Sequence, residues 1–492
     1  MTGVNDLLAV APFITAVAGA IVIFLMDALS PPPGSRRFLG WVALVFLGLM
    51  AAVVSVDLGQ NPGGVFYGMV AVDGLSRLFT VIFATAAALA VLAAMARLGD
   101  AADGSSVRGE FYALLLLSTG GASLLGQARD LVVLFLALET LSLPAYILAA
   151  ARRNDALSIE AGMKYFILGA VASGLLLYGT ALLYGAGGST HFSQLAKAVG
   201  DRPWSENFLF LAGAVLVLAG LLFKLAAAPL HMWAPDVYQG APTPATVFFS
   251  TGVKAAAFLA LVRVLFQALE PLRVGEAGLE AAGWFTWLQG FAIATMTVAN
   301  ITALVQKDVK RLLAYSSVAH AGYLIMGVLC RHQGAVALVF YLLAYTFMTG
   351  GAFLLVAWLE SEKGGTSLES YRGLSTRHPA LAAIFSVFLF SLAGIPPTAG
   401  FFSKFYLFRA AVNEGLIELT IIAVLNSLVS AYYYLRVMVS MYMEPAADTT
   451  SPAPFSAHMA VGVAVCLALV LLLGILPAPA LELVERSLAG VF

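Results

Sequence analysis

The chain alternates apolar stretches of roughly 20 residues with short polar connections. Because a helix needs about 20 apolar residues to cross a bilayer core, a window of roughly 19 residues predicts about fourteen membrane-spanning helices. The predicted spans are 7–29, 38–57, 73–97, 110–127, 130–151, 161–185, 207–233, 243–268, 283–305, 309–330, 334–359, 379–410, 415–440 and 457–477. The pattern therefore predicts an all-α polytopic membrane protein without a soluble domain.

Two of the predicted spans are too long for a simple crossing. A continuous helix over 208–233 would rise about 38 Å and one over 379–409 about 45 Å, against a hydrocarbon core of about 30 Å. Prolines remove a backbone donor and clash with the preceding turn. We therefore expect a helix break in both regions, at the following prolines: Pro229, Pro235, Pro396 and Pro397.

The two halves of the chain carry the same landmarks at nearly the same interval. Asp130 in QARDLVVLF and Asp308 in VQKDVKRLL are 178 residues apart, and Lys224 and Lys404 are 180 apart. Interrupted segments at corresponding positions indicate a transporter with internal repeats, although chance similarity between apolar segments is the alternative. We predict a three-helix N-terminal segment, two five-helix repeats and a C-terminal helix, at residues 1–109, 110–268, 283–440 and 441–492.

Six ionisable side chains lie within or beside the apolar spans, where a charge costs roughly 2.5–3.5 kcal/mol on insertion scales. Such groups usually face a bundle interior or a water-filled cavity and mark an ion or proton path. The six candidates are Glu139, Lys164, Lys224, Lys254, His320 and Lys404.

A structural role is the alternative for each candidate. A neighbouring hydroxyl could satisfy Glu139, and Lys224 could snorkel to the interface. Lys164 lies near the start of its span and could reach the surface. His320 could be only a hydrogen-bonded core residue, although its titration near neutral pH suits a relay.

Three further features near these candidates leave their roles open. His231 and Asp236, at the end of the first broken span, fit an exit path and loop architecture equally. The run Tyr432–Tyr434 is more typical of packing or of an interfacial aromatic belt than of a functional site.

Composition narrows the function further. The chain is 61% hydrophobic and 11% charged, with a net charge of -1, so it has no nucleic-acid footprint. Cys330 and Cys466 lie in apolar runs, which argues against a disulfide framework or metal cluster. Nucleotide-binding glycine loops and an HExxH pair are absent from the sequence. We expect no catalytic, cofactor-binding or metal site in this chain.

The distribution of basic residues predicts the orientation. An even number of spans places both termini on one side of the membrane. Without the intramembrane lysines, one set of connections carries thirteen Lys and Arg residues and the other about nine. The positive-inside rule makes the richer side cytoplasmic. We therefore expect both termini on the outer side of a bacterial plasma membrane.

A buried Glu–Lys pair has the right energy for proton transport. At 4 Å and an effective dielectric of about 20 the attraction is about 4 kcal/mol, and at 10 Å it is under half of that. Moving one proton against about 200 mV costs about 4.6 kcal/mol. A pairing that changes during a cycle could drive transport, whereas a fixed pair could not.

Three segments carry a resemblance to a known family. They are FKLAAAPLHMWAPDVYQGAPTPAT at 223–246, QKDVKRLLAYSSVAHAGY at 306–323 and GIPPTAGFFSKF at 394–405. With them, nearly the whole chain resembles the antiporter-like membrane subunits of respiratory complex I, the proton-translocating NADH–quinone oxidoreductase. The DVYQGAP segment and Lys404 resemble its subunit N branch more than the longer sister subunits.

The resemblance implies fourteen helices, two inverted five-helix repeats and discontinuous seventh and twelfth helices. It implies that Glu139 pairs with Lys224 and that Lys254, His320 and Lys404 continue a polar axis. The chain would be the proton-translocating part of an oxidoreductase complex embedded in the lipid bilayer, in contact with other membrane subunits. NADH, FMN, iron–sulfur clusters and quinone would be bound by those partner subunits.

Other functions would leave similar buried charges. One alternative is a subunit of a multicomponent Na⁺/H⁺ antiporter, and another is a membrane subunit of a hydrogenase or a related electron-donor complex. A purely structural role with idle charges is the third. The DVYQGAP segment favours the redox-driven proton pump over these alternatives.

Overall fold

A computed structural model describes residues 4–30, 36–55, 64–97, 109–200, 208–274, 283–363, 365–445 and 455–489. These residues form 21 α-helices: α1 Val4–Ala9, α2 Ala11–Leu29, α3 Arg37–Ser55, α4 Gly74–Arg97, α5 Gly109–Gln127, α6 Leu131–Ala149, α7 Ala156–Gly187, α8 Phe192–Gly200, α9 Phe208–Lys224, α10 Trp233–Gly240, α11 Thr243–Phe248, α12 Lys254–Arg263, α13 Trp284–Ala303, α14 Val309–Leu329, α15 Arg331–Lys363, α16 Leu374–Arg377, α17 Pro379–Ala393, α18 Ala399–Asn413, α19 Ile417–Met443, α20 Ala457–Ile475 and α21 Ala478–Leu488.

The helices agree with the prediction of an all-α membrane protein. In the described part of the chain, ten helical segments are long and apolar enough to cross a bilayer. Two shorter apolar helices, α9 and α17, belong to the predicted broken spans. Two more, α5 and α13, have the length but are less apolar. The all-α polytopic fold is confirmed, and the count of fourteen crossings stays a prediction.

Aspartates begin two of the central helices. Asp130 caps α6, where its side chain accepts hydrogen bonds from the backbone N–H groups of Val132 and Val133. Asp308 caps α14 by accepting from the N–H of Arg311. Such caps satisfy backbone donors that a helix leaves unpaired at its start.

Both predicted long spans are interrupted. The first helix ends at Lys224 and the chain resumes as α10 at Trp233, with Pro229 in the connection. The second ends at Ala393 and resumes as α18 at Ala399. Pro396 and Pro397 lie between these two helices.

Pro235 differs from the prediction. It is the third residue of α10, so it lies in a first helical turn and interrupts no helix. A proline near a helix start has no intrahelical N–H bond to lose, which is why this residue is compatible with a short helix.

The glycine that ends α17 is required by its surroundings. Gly394 has a φ of +87°, a left-handed conformation that side chains rarely adopt. A Cβ there would also lie 2.9 Å from Cδ of Lys404. The glycine therefore lets the chain turn directly beside a buried lysine.

Burial separates a central group of helices from a peripheral one. An apolar 18-residue stretch within segment 243–268 is completely buried, and the corresponding stretches of α14 and α15 are 94% buried. By contrast only about a third of the apolar windows of α2, α3 and α7 are buried. Exposed Leu, Ile, Val and Phe side chains cover these outer helices, as expected for lipid-facing surfaces.

The central segment 243–268 departs from regular α-helix twice. A π-helical turn, Phe249–Val253, precedes α12, and a second, Val264–Ala268, follows it. Single π-helical turns are frequent at functional sites. Here they flank the ten-residue helix that carries Lys254 at its first position.

Candidate functional site

Lys224, the last residue of α9, lies in a polar and aromatic pocket. Its Nζ donates to Oγ of Ser142 at 2.7 Å and to the hydroxyl of Tyr165 at 3.2 Å. The ammonium also lies 5.3 Å from the ring centroid of Tyr146 and 5.0 Å from that of Tyr165. Hydroxyls and ring faces therefore solvate this buried cation.

The pocket is built partly by the helix break. Trp233, the first residue of α10, stacks on Tyr165 with ring centroids 4.5 Å apart. Its indole N–H donates to the carbonyl of Phe223 at 3.0 Å, a group near the end of α9. The chain after the break thus folds back over Tyr165, whose hydroxyl accepts a hydrogen bond from Lys224.

Glu139 does not form the direct ion pair with Lys224 that the resemblance implies, although both residues belong to the described part of the chain. Its carboxylate accepts a hydrogen bond from Ser173 on α7. The two charges are still close enough for electrostatic attraction. The hydroxyls of Ser142 and Tyr165 take the place that the carboxylate would occupy in a contact pair.

A small cavity adjoins Lys224 and Ser173, the hydrogen-bond partner of Glu139. It is just large enough for one water molecule, and Ser173 and Lys224 line it together with Tyr146. The hydrogen-bond partner of Glu139 and the ammonium of Lys224 therefore face the same space.

Lys254 is buried at the centre of the molecule. Its Nζ donates to Oγ and to the backbone carbonyl of Ser317 on α14. The ring centroid of Tyr345 on α15 lies 5.5 Å from the same Nζ. The π-helical turn before α12 widens the backbone just ahead of this lysine.

His320 on α14 is held by two tyrosines. Its Nδ1 lies 2.7 Å from the hydroxyl of Tyr341, and its Nε2 lies 3.3 Å from that of Tyr434. The imidazole is 1% exposed, so both nitrogens depend on these hydroxyls for hydrogen bonding.

Lys404 lies behind the second break, on α18. Its Nζ donates to the carbonyl of Ala393 at 2.9 Å and to Oγ of Ser427 at 2.8 Å. The ring centroid of Tyr323 is 5.2 Å away. Ala393 is the last residue of α17, where a helix leaves carbonyls unpaired and carries partial negative charge.

Aromatic rings connect the central groups. His320 lies 5.2 Å from Tyr345, the ring beside Lys254, measured between centroids. It lies 5.8 Å from Tyr323, the ring beside Lys404. Lys254, His320 and Lys404 are thus buried residues linked through the rings of Tyr345 and Tyr323.

Lys164 lies apart from this buried group. Its side chain is 40% exposed and pairs with Glu160 at 2.6 Å and Asp236 at 2.7 Å. Arg311 also donates to Asp236, at 2.5 Å. Lys164 therefore reaches the surface, and Asp236 belongs to a partly exposed ion-pair network.

The structure also contains a buried ion pair that the sequence reasoning missed. Arg263, the last residue of α12, is fully buried and donates to both carboxylate oxygens of Asp73 at 2.8 and 2.9 Å. Arg263 is not among the six candidates of the sequence analysis, although it falls inside the predicted span 243–268. An arginine within a predicted span was the signal that could have identified it.

A second ionic cluster lies at one end of the molecule. Glu360 on α15 pairs with Arg152, just after α6, at 2.8 Å and with Lys310 on α14 at 3.7 Å. It also accepts a hydrogen bond from Thr243, at the start of α11. One carboxylate thus joins the ends of four helices.

The described residues contain no cluster of three or more His, Cys, Asp and Glu side chains that could hold a metal ion. What they contain is a set of buried cations solvated by hydroxyls, carbonyls and aromatic faces. Such an arrangement can hold and release protons because each lysine has a neutral form that burial favours.

The architecture and the buried charges together define an antiporter-like membrane protein. The family model described as "NADH:quinone oxidoreductase/Mrp antiporter, TM" matches residues 128–430. The family resemblance drawn from the sequence is confirmed.

Individual relatives narrow the class. The chain is 42% identical to NADH-quinone oxidoreductase subunit N of Trichlorobacter lovleyi, over 93% of this chain and 92% of the relative. A chain of respiratory complex I from Thermus thermophilus is 35% identical, with a TM-score of 0.79, covering 97% of this chain and 100% of that one. The protein belongs to the subunit N family of NADH-quinone oxidoreductases.

The fold is shared more widely. A chain of the Mrp complex from Dietzia sp. DQ12-45-1b superposes with a TM-score of 0.82 at 23% identity, covering 98% of this chain and 97% of that one. At this identity the likeness concerns the fold only.

Proposed function

We propose that this chain is the proton-translocating membrane subunit of an NADH–quinone oxidoreductase. Protons would pass through Glu139, Lys224, Lys254, His320 and Lys404, while NADH, FMN, iron–sulfur clusters and quinone are bound in partner subunits. The observation that carries the proposal is the burial of Lys224, Lys254, Lys404 and His320, in a chain whose relatives are named for that complex.

Energetics support a transport role for these lysines. Keeping a lysine charged in a membrane interior is costly, and a purely structural interior would be expected to use apolar residues there. Lys224, Lys254 and Lys404 are each at most 5% exposed. None of them makes an ion pair closer than 4.0 Å within the described residues, so their charge depends on neutral partners and on more distant groups.

The Glu139 and Lys224 arrangement fits a pairing that changes during a cycle. In this structure the carboxylate bonds Ser173 and the ammonium bonds Ser142 and Tyr165. Bringing a carboxylate and an ammonium from about 10 Å to about 4 Å apart adds about 2.5 kcal/mol of attraction at an effective dielectric of about 20. A rearrangement of these hydroxyl contacts could therefore favour or release a proton.

Lys164 has a different role in this proposal. Its exposure and its pairs with Glu160 and Asp236 fit a place at the mouth of the path, where it exchanges with solvent. This assignment keeps Lys164 among the proposed translocation residues but outside the buried axis.

We also propose the fourteen-helix, two-repeat architecture, because matching contacts begin α6 and α14. Asp130 accepts from Thr190 and bridges to His191, and Asp308 accepts from Thr366 and bridges to Ser367. The backbone N–H of the next residue donates to the threonine carbonyl in each case, at 3.0 and 2.8 Å. The same local structure thus occurs once in each proposed repeat, 110–268 and 283–440.

The contacts of Glu360 support an inverted relation between the two repeats. Arg152 follows the end of α6, whereas Lys310 is the second residue of α14. Both pair with Glu360. The end of α6 therefore lies beside the start of α14, and these equivalent helices run in opposite directions.

The surroundings of the protein follow from the same proposal. The lipid bilayer covers the exposed outer helices, other membrane subunits of the complex are the partners, and the location is a bacterial plasma membrane. The orientation with both termini outside stays a prediction from the basic residues, and residues 1–3 and 490–492 lie outside the described part of the chain.

The proposal is tested with the assembled complex in sealed membrane vesicles. Lys224→Ala is expected to lower both NADH-to-quinone electron transfer and proton uptake, because it removes a cation on the coupled path. Lys197→Ala, at an exposed position on α8, is the matched control and should leave both rates unchanged.

Two results would contradict the proposal. One is an assembled Lys224→Ala complex with normal electron transfer and normal proton uptake. The other is a wild-type membrane that exchanges Na⁺ for H⁺ without NADH-to-quinone electron transfer, which would instead establish an antiporter subunit.

A further inference from the structure

Tyr434 on α19 makes contacts that neither an interfacial belt nor simple packing requires. Its ring is fully buried, whereas the adjacent Tyr432 is 60% exposed. Its hydroxyl contacts Oγ of Ser316 and lies 3.3 Å from Nε2 of His320. The sequence favours packing or an interfacial belt for this tyrosine run, and Tyr434 makes these two polar contacts in addition to being buried.

We propose that Tyr434 is a positioning residue for His320. The hydroxyl of Tyr434 fixes the orientation of the imidazole within the buried path. This inference rests on the proposed function, since it gives His320 a role in proton movement. Tyr434 is treated as positioning because it acts through the histidine.

The chemistry of imidazole makes both tyrosines necessary. A neutral imidazole has one donor and one acceptor nitrogen, and each tyrosine hydroxyl can act in either sense. Tyr341 on α15 serves Nδ1 and Tyr434 serves Nε2. Because two different helices supply the partners of the two nitrogens, rotation of the ring would break at least one of these contacts.

Ser316 fixes the hydroxyl of Tyr434 in turn. Ser316 and His320 are four residues apart on α14, so they lie on the same face of that helix. The phenol oxygen meets both side chains at once. A hydroxyl with two fixed partners has little freedom to rotate away from Nε2.

Orientation matters at this position because of what flanks the ring. Two aromatic rings pack against the imidazole: that of Tyr345, which lies over Lys254, and that of Tyr323, which lies over Lys404. A reoriented imidazole would present its nitrogens differently to the two lysine sites. The titratable and charged groups that face His320 are Lys254 on α12, Tyr323 on α14, Tyr341 and Tyr345 on α15, Lys404 on α18 and Tyr434 on α19.

The neighbouring residue provides a matched control. Tyr433 is also fully buried, and its ring lies 4.5 Å from that of Tyr434. Its hydroxyl donates to Oδ1 of Asn300 at 3.0 Å. Removing this hydroxyl perturbs the same helix and a comparable hydrogen bond but leaves the partners of His320 in place.

The test compares Tyr434→Phe with Tyr433→Phe in the assembled complex, in sealed vesicles across a range of pH. Tyr434→Phe is expected to lower proton uptake about three- to tenfold, as for the loss of one buried hydrogen bond. The pH at which uptake is half-maximal should move by about half a unit or more, because hydrogen bonding sets how readily an imidazole is protonated. Tyr433→Phe should change neither quantity by more than about twofold.

Two further variants separate positioning from packing. Ser316→Ala leaves both rings in place and should shift the pH profile in the same direction as Tyr434→Phe. This variant decides the question if Tyr434→Phe fails to assemble. In a His320→Ala background, adding Tyr434→Phe should cause no further loss, because the residue that it positions is already absent.

The inference is overturned if Tyr434→Phe and Tyr433→Phe have the same effect, or if neither Tyr434→Phe nor Ser316→Ala moves the pH profile. A separate result bears on the proposed function. If Lys224→Ala stops uptake while the Tyr434 and Ser316 variants behave as wild type, the pump proposal stands and only the positioning role fails.

Discussion

The two lysines beside the helix breaks are solvated in different ways. Lys224 precedes its break and is held by two side-chain hydroxyls, with Glu139 nearby. Lys404 follows its break and is held by a hydroxyl and by the carbonyl of Ala393, at the end of the preceding half-helix. The first site has a carboxylate that could change partner, and the second has a fixed backbone acceptor.

This difference indicates separate tasks along one path. A side chain can rotate toward or away from Lys224, so its charge can respond to an event elsewhere in a complex. The carbonyl at the end of α17 is part of the backbone and carries the partial negative charge of a helix terminus. Lys404 is therefore better suited to accept a proton repeatedly than to switch partners.

The largest expected effect is at Lys404 itself. Lys404→Ala should lower proton uptake by about tenfold or more, which corresponds to about 1.4 kcal/mol or more in the barrier. The described surroundings offer no second cation to the carbonyl of Ala393, so no neighbour can take over. Proton uptake by the assembled complex in vesicles measures the effect.

Arg409→Ala provides the control for Lys404→Ala, since Arg409 lies on the same helix and is exposed. Its uptake should equal the wild-type value. Wild-type uptake in Lys404→Ala would mean that the second break carries no proton and that the path ends before it.

A smaller effect is expected from the serines, and its size sharpens the comparison. Ser142→Ala leaves Lys224 with the hydroxyl of Tyr165, at 3.2 Å. Ser427→Ala leaves Lys404 with the carbonyl of Ala393, at 2.9 Å. We expect about a fivefold loss of uptake for the first and about a twofold loss for the second, because the remaining carbonyl bond is shorter and aligned with a helix end.

Parallel assays of the two serine variants decide between the two kinds of solvation. Equal losses, or a larger loss for Ser427→Ala, would show that the backbone carbonyl gives Lys404 no advantage. Assembly is checked in each case by the amount of complex recovered from the membrane.

Much of the fold followed from the sequence because the membrane imposes simple rules. Apolar length predicted the helices, and excess length with prolines predicted breaks where the chain leaves α9 and α17. Pro235 was misplaced because a proline pattern alone does not distinguish a break from the first turn of the next helix.

The candidate site was only partly predictable. Charged residues in apolar runs identify themselves by their cost, which is why Lys254 and Lys404 could be found. Their neutral partners could not, because a serine or tyrosine in a helix is equally compatible with packing. Ser317, Ser427 and Tyr434 become distinguishable only when tertiary structure brings their hydroxyls to the charged or titratable group.

The direct pairing of Glu139 with Lys224 was the other point where sequence was insufficient. Both residues lie in apolar helices, yet each takes hydroxyl partners in this structure. Which partner a buried charge adopts depends on contacts of a few tenths of an ångström, which sequence spacing does not determine.

A double-mutant cycle on Glu139 and Lys224 tests the central claim most directly. Proton uptake is measured in assembled wild type, Glu139→Gln, Lys224→Ala and the double variant. If the carboxylate and the ammonium act as one switching unit, the double variant should lose no more than about the larger of the two single losses. If the two losses multiply, the residues act independently and the switching account is wrong.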